Sequence, residues 1–316
     1  MEHATRVVKI VDRTERAEGV ISLTLASVDG GALPAWTPGA HIDVIVGNGL
    51  TRQYSLSSDP ADLSTWRIGI LREPASRGGS EWIHANATAG AELTVSDPRN
   101  NFVLHAAPKY RFVAGGIGIT PILPMIAEAE AKGAEWTLLY GGRTRSSMAF
   151  LDELAAYGDK VTVAPQDEVG LLDLAAYFAN PAEGEVIYAC GPEPMLQAAE
   201  RASADWPAGS LHLERFVPKV IEAGEDHEFE VEFADSGITS TIPVGTSILD
   251  VAEGLGLNVF SSCREGTCGT CETQILEGAA DHRDSLLTTA EQDAQETMMI
   301  CVSRAASGCG KLKLAL

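Results

Sequence analysis

Four cysteines near the C-terminus are spaced for inorganic chemistry. The stretch SCREGTCGTC holds Cys263-x4-Cys268-x2-Cys271, and Cys301 follows after 29 intervening residues. Packing is a poor reason for three thiols in a glycine-rich loop without apolar periodicity. Structural zinc sites usually pair two C-x2–4-C units, whereas here the last cysteine stands alone. C-x4-C-x2-C with a distant fourth cysteine is the ligand spacing of a [2Fe–2S] cluster. The small residues Gly266, Gly269 and Thr270 would let backbone N–H groups approach its sulfur atoms. Cys190 and Cys309 fall outside this set. Cys309, in SGCGK, reads as a loop or strand thiol, while Cys301 has the better ligand context inside the apolar run MMICVS.

Three further stretches could bind anions. FVAGGIGITP reads as a strand, a glycine turn and a helix start, with Thr120 as the cap and Pro121 at the first helical position. Backbone amides at such a start favour a phosphate. Gly115-Gly116-Ile117-Gly118 departs from the G-x-G-x-x-G fingerprint, so by itself it fits an unliganded helix turn equally well. VIYACGPEPML sets Cys190-Gly191-Pro192 at the C-terminal end of a strand, where ligands sit in open α/β sheets. RQYSLS puts Arg52, Tyr54 and Ser55 on one strand, able to hold a phosphate, cover an aromatic ring and hydrogen-bond a ring nitrogen. RGGSEWIHA places Gly79 and Ser80 at a second helix start. Any half-buried strand could carry the first of these two, and Cys190 alone could be a small buried hydrophobe.

The elements that must hold these groups follow from periodicity. From residue 6 to about 104, VVKIVD, VISLTLAS, HIDVIVG, RQYSLSS, WRIGILRE and ELTVSDP alternate as short strands between Gly, Pro and Asp turns, which suggests an antiparallel barrel. Strands expected at 110–114, 136–140, 161–165, 185–189 and 211–215 then alternate with helices at 120–132, 149–157, 171–179 and 193–204, the pattern of a parallel sheet. After an aperiodic stretch, VPKVIEAGED, come strands EFEVEFAD and TSTIPVG. A helix SILDVAEGLG capped by Ser247 or Thr246 precedes the cysteine loop, and ETQILEG, MMICVSRA and KLKLAL complete a small α+β domain.

The 316 residues allow two or three domains of ordinary composition, 45% hydrophobic and 21% charged. A net charge of −21 argues against nucleic acid, which needs a basic footprint. Residues 224–316 alone hold 16 acids against 5 bases, a net −11. MEHATRVVKIVDRTE lacks the basic and apolar regions of a secretory signal. The nearest apolar run, FVAGGIGITPILPMIA, is interrupted by Gly and Pro, so no membrane span is expected. A cytoplasmic location follows, and there clustered thiols lean towards metal or redox work rather than disulfides.

With these motifs assembled, the cysteine domain resembles a plant-type ferredoxin. GGIGITP together with YACGP…M resembles the NAD(P)-binding domain of the ferredoxin–NADP⁺ reductase superfamily, and R-x-Y-S resembles its flavin motif. The pairing of R-x-Y-S with G-G-S is similar to the phthalate dioxygenase reductase and vanillate demethylase reductase family. The resemblance covers the whole chain in order, and implies a multidomain fold. An antiparallel β-barrel flavin domain spans 1–106, an α/β parallel-sheet NAD(P)H-binding domain 107–217, a linker 218–226 and an α+β β-grasp ferredoxin domain 227–316.

The resemblance also implies roles. Arg52, Gly79 and Ser80 anchor the flavin phosphate, with Tyr54 and Ser55 at the isoalloxazine. Gly115, Gly116, Gly118, Thr120 and Pro121 form the pyrophosphate turn, and Cys190, Gly191 and Pro192 lie by the nicotinamide. Phe216, ending HLERF, approaches the flavin. Arg143, Arg145 and Ser146 follow the second strand of the sheet, where a 2′-phosphate would be read. Cys263, Cys268, Cys271 and Cys301 hold the cluster. The cofactors are FMN in preference to FAD, NADH in preference to NADPH, and [2Fe–2S]. The partner is a Rieske-type aromatic-ring oxygenase or O-demethylase with a basic docking patch, served by a monomer. Alternatives are an FAD-containing reductase of another monooxygenase, a free-standing flavin or ferric reductase, or a zinc-stabilised interaction module.

Overall fold

A computed structural model describes residues 5–47, 50–73, 78–219 and 224–316; residues 220–223 of the expected linker lie outside the described residues. The first five strands are β1 (Thr5–Ala17), β2 (Val20–Ser27), β3 (His41–Ile45), β4 (Thr51–Ser55) and β5 (Thr65–Leu71), followed by α1 (Gly79–Asn86) and β6 (Glu92–Ser96). Alternation decides their faces: Val8 and Ile10 of β1 are fully buried while Val7 and Val11 stay exposed. The strands pair in the order β4-β3-β6-β1-β2-β5, and an antiparallel bridge between Leu56 and Ile68 joins the two end strands, closing the barrel. Ile10, Leu23, Leu25, Ile42, Leu56 and Trp66 fill it.

The chain continues through β7 (Lys109–Gly115), α2 (Ile119–Ala131), β8 (Glu135–Gly142), α3 (Leu151–Leu154), β9 (Val161–Pro165), α4 (Gln166–Val169), α5 (Leu174–Tyr177), β10 (Glu185–Cys190), α6 (Glu193–Ala202) and β11 (Leu211–Glu214). The five strands form a parallel sheet ordered β11-β10-β7-β8-β9. Central β7 is buried almost throughout because apolar layers cover both its faces, one around Phe112 and α2, the other around Val113, Leu196 and Ala199 of α6. Two helices are shorter than their periodicity suggests. The helix expected at 149–157 is α3 followed by a 3₁₀ stretch to Lys160 interrupted at Gly158, whose φ of 56° and ψ of −129° leave the helical region. The one expected at 171–179 is α5 alone, started late by Asp173, whose side chain accepts the N–H of Ala176 at 2.9 Å.

The barrel is latched to this sheet. Glu153 of α3 receives Arg67 Nη1 at 2.7 Å and Nη2 at 2.9 Å, and Arg16 Nη1 at 3.4 Å. Both guanidiniums lie over the ring of Phe150, Arg16 at 5.4 Å and Arg67 at 4.9 Å from its centroid. Residues up to Glu214 form one compact unit and those from Arg215 onward a second.

The second unit contains β12 (Phe229–Phe233), β13 (Ile238–Ile242), α7 (Ile248–Gly254), β14 (Glu272–Glu277), β15 (Ala280–Asp281), α8 (Thr289–Ala294), β16 (Thr297–Met299), β17 (Arg304–Ala305) and β18 (Lys311–Leu314). A mixed sheet ordered β13-β12-β18-β14-β16 packs on α7 through Phe229, Val231, Ile248, Leu249 and Leu312. Ser247 caps α7 by accepting the N–H of Asp250 at 3.0 Å, which settles that choice against Thr246. The strand expected over MMICVSRA is broken: β16 stops at Met299, Val302 and Ser303 donate back to its carbonyl at 3.2 and 2.9 Å, and Cys301 sits in the resulting turn. Among the described residues no helix is long and apolar enough to cross a membrane.

Candidate functional site

At the cysteine loop the backbone is bent to aim N–H groups at sulfur. Arg264, Gly266 and Gly269 have φ of 57°, 70° and 71°. A side chain at Gly266 would meet Val302 Cγ2 at 2.7 Å and Asp284 Cα at 3.0 Å, so the loop could not carry one there. Glu265 and Thr267 donate to Cys263 Sγ at 3.3 and 3.4 Å, and the Cys263 N–H lies 3.5 Å from Cys268 Sγ. Thr270 Oγ1 is 3.1 Å from Cys268 Sγ. Hydrogen bonds from Cys268 and Cys301 push the Cys263 thiol down, and the same contacts push the Cys268 and Cys301 thiols up, so the four sulfurs are close enough to share protons among themselves. Among the described residues no three His, Cys, Asp or Glu side chains converge as ligands of one ion. A binuclear cluster bound by two thiolates at each iron requires no such trio. The donor set fits a [2Fe–2S] cluster, which Cys263, Cys268, Cys271 and Cys301 would hold. Cys309 is engaged elsewhere, 3.5 Å from the Ala279 N–H and donating to the Lys311 carbonyl at 3.1 Å.

The glycine turn and the Cys-Gly-Pro segment interlock at the C-terminal edge of the parallel sheet. A Cβ on Gly118 would lie 2.2 Å from the Cys190 carbonyl oxygen, one on Gly191 2.9 Å from Gly115 Cα, and one on Gly115 2.6 Å from Pro192. Neighbouring β7 and β10 bring these stretches together, aligning Ala114 with Cys190. Gly116 turns with φ of 55°, and residues 116–118 form a 3₁₀ turn before α2. Two expectations about this start are corrected. Thr120 does not cap the helix: it is buried, its hydroxyl donates to the Ile117 carbonyl at 2.9 Å, and its methyl faces Gly69 of the barrel. Pro121 is the third helical residue rather than the first, and its missing N–H costs nothing within the first turn.

Cys190 is fully buried at the end of β10, and burial pushes its thiol well above the ordinary range, which disfavours the nucleophilic thiolate. Its Sγ donates to Glu214 Oε2 at 3.7 Å. The Glu214 carboxyl is pushed up to about 8 by burial, which places a group titrating near neutrality beside the Cys-Gly-Pro segment. Sequence reasoning missed Glu214. Its signal, a single acid inside HLERF, became meaningful only when parallel pairing aligned it with Cys190.

On the barrel, β4 and α1 are brought together at Arg52. A Cβ at Gly79 would lie 2.6 Å from Arg52 Cγ and 2.7 Å from its Nε, so this glycine is the space in which the guanidinium stem lies. Gly78 enters α1 with φ of 91°, and no side chain caps the helix. Its first N–H groups thus adjoin Arg52, a cradle that fits a phosphate. Ser80 is buried and its Oγ accepts the Glu73 N–H at 3.2 Å. Burial pushes the Tyr54 hydroxyl up despite the positive charge of Arg52, so it stays neutral. Ser55 is buried beside it. Arg143 is exposed at the end of β8. Phe216 is 42% exposed and falls in the unit that begins at Arg215.

Residues 231–306 match the 2Fe-2S iron-sulfur cluster binding domain and residues 112–201 the oxidoreductase NAD-binding domain. The chain is 46% identical to phenoxybenzoate dioxygenase subunit beta of Ectopseudomonas oleovorans, over 91% of this chain and 90% of that protein. The crystal structure of phthalate dioxygenase reductase superposes with a TM-score of 0.74 at 34% identity, covering 100% of this chain and 99% of that one. An intact type IV self-sufficient cytochrome P450 monooxygenase superposes with a TM-score of 0.91 at 42% identity, covering 99% of this chain, which spans only 41% of that longer protein. Fold and site together define an iron–sulfur reductase with an NAD-binding domain, the electron-transfer component of an oxygenase system. The chain belongs to the phthalate dioxygenase reductase and vanillate O-demethylase reductase family.

Proposed function

We propose that the protein oxidises NADH through FMN and delivers single electrons from its [2Fe–2S] cluster to a Rieske-type oxygenase or O-demethylase. A bound flavin would supply the conversion between the two-electron chemistry of a hydride and the one-electron capacity of the cluster. The chain's own residues bind and orient. The interlocked Gly115–Gly118 and Cys190–Pro192 segments offer backbone amides to a pyrophosphate and fix where the nicotinamide ends, while the buried Cys190–Glu214 pair lines that end without competing as a nucleophile. Arg52 and the first turn of α1 hold the flavin phosphate, and Tyr54 and Ser55 meet the ring system.

The observation that supports FMN is Arg52 lying across Gly79 at the start of α1, where a guanidinium and a helix start meet as a terminal phosphate would need. Chromatography of the flavin released by heat tests it: stoichiometric FMN is expected, and stoichiometric FAD would overturn the assignment. A visible spectrum with overlapping flavin and iron–sulfur bands excludes the zinc alternative, which absorbs nothing there.

The acidic surplus of residues 224–316 supports a basic docking patch on the acceptor. Charge-steered electron-transfer encounters weaken as salt screens beyond ~8–10 Å. Oxygenase-coupled turnover is expected to fall as ionic strength rises, while NADH–ferricyanide activity, which needs no partner, changes far less. A coupled rate that is flat from low to high salt would assign the charge to solubility alone. The likeness to a self-sufficient P450 favours a second reading, a haem monooxygenase as acceptor. Reconstitution with purified Rieske and P450 oxygenases in parallel separates the two.

A further inference from the structure

Strand order dictates which stretch of the sheet edge each half of a dinucleotide crosses. Central β7 carries the glycine turn, and β10 with Cys190 lies to one side of it. A nicotinamide over β10 sends the adenosine half the other way, over the ends of β8 and β9. The chain leaving β8 runs through Gly142 to Arg143 and Arg145; the chain leaving β9 runs directly into Asp167 and Glu168.

These two exits are tied together. The Asp167 N–H donates to the Arg143 carbonyl at 3.2 Å, and Leu172 lies over Gly141, where a Cβ would meet its Cδ1 at 2.9 Å. Arg145 meets Glu168 as a fork, Nε to Oε1 at 3.0 Å and Nη2 to Oε2 at 2.7 Å. The carboxylate thus takes up the bidentate face that a guanidinium would present to a phosphate.

We propose that Glu168 sets the choice of nucleotide, favouring a ribose 2′-hydroxyl over a 2′-phosphate by occupying the Arg145 fork. The inference rests on the NADH reading and names its determinant. A 2′-phosphate brings close to two negative charges. To reach Arg145 it must displace Glu168 and leave that carboxylate, with Asp167 next to it, facing the phosphate as a like charge. A 2′-hydroxyl meets no such conflict, and a carboxylate at this edge can accept its hydrogen bond. Both side chains remain about half exposed, 53% for Arg145 and 45% for Glu168, so solvent screening keeps the effect moderate.

The test is the ratio of kcat/KM for NADPH to that for NADH in ferricyanide reduction by the holoenzyme, read with competitive inhibition by 2′,5′-ADP and 5′-AMP. Glu168→Gln removes the charge and keeps the size. It is expected to raise the ratio by about 10-fold, as expected for relief of a partly screened like-charge contact, and to tighten 2′,5′-ADP relative to 5′-AMP. Adding Arg145→Ala to Glu168→Gln should return both readouts towards wild type, because the freed guanidinium is then gone. Flavin and cluster absorption report that each variant is intact. A wild type that prefers NADH, with ratio and inhibition unmoved in Glu168→Gln, overturns this proposal alone. A wild type that already prefers NADPH overturns the NADH reading and the proposal with it.

Discussion

Serine at Cys263, Cys268, Cys271 or Cys301 is expected to abolish the [2Fe–2S] absorption and reduce oxygenase-coupled turnover by more than about 100-fold, beyond the 10- to 100-fold cost of losing a supporting contact at a metal site. The substitution replaces a thiolate by a neutral hydroxyl in a loop whose N–H groups are already aimed at sulfur, from Glu265 and Thr267 to Cys263. NADH–ferricyanide reduction should survive, because the flavin and nucleotide residues before Arg215 form a separate compact unit with their own cores. Cys309→Ser should keep the cluster, since Cys309 is bonded to Ala279 and Lys311. Loss of the cluster in Cys309→Ser with retention in Cys301→Ser would reverse the ligand assignment.

Gly118→Ala is the second large effect. Its Cβ would stand 2.2 Å from the Cys190 oxygen, 2.5 Å from the Cys190 carbonyl carbon and 2.8 Å from Gly191 N, all of them backbone atoms that cannot swing aside. The glycine turn or the Cys-Gly-Pro segment must therefore shift, and a displacement near 1 Å at a positioning element costs about 100-fold in rate. kcat/KM for NADH should fall by that order while the flavin and cluster spectra persist. Gly133→Ala is the control, at the far end of α2 with φ of 67° and nothing within 4 Å of its Cβ. It should cost roughly 1–2 kcal/mol of stability and leave nucleotide use alone. A Gly118→Ala enzyme within about 3-fold of wild type, a span worth less than 1 kcal/mol, would remove the interlock from the account of nucleotide binding.

The features legible in the sequence were those whose chemistry uses contiguous residues. The cysteine loop and the glycine turn announce themselves because ligand spacing and backbone approach are local demands, and the six barrel strands because inward and outward residues alternate. Helix lengths were read less well. The helix expected at 149–157 tightens into a 3₁₀ stretch that runs into Gly158, with φ of 56°, and the one expected at 171–179 starts only after Asp173, where a side-chain cap and not apolar periodicity sets the boundary. MMICVSRA has strand composition, yet Met299 receives the returning N–H groups that turn Cys301 out of the sheet. Glu214 and Glu153 were invisible for a different reason: their partners are Cys190 in the neighbouring strand and Arg16 and Arg67 in another sheet, and no local pattern encodes such a meeting.

The Glu153 latch has a consequence for the order in which the chain acquires its structure. All six barrel strands end by Ser96, so the growing polypeptide has every strand of the barrel in hand well before α3 exists. Glu153 is separated from Arg67 by 86 residues. The barrel itself already holds both side chains, Arg16 through Ser22 Oγ at 2.8 Å and Arg67 through the Ser57 carbonyl at 2.6 Å, so α3 adds the carboxylate to arginines that are in place. The contact that joins the two halves is therefore a long-range one, in which a single carboxylate that follows the barrel in the chain is shared between two arginines.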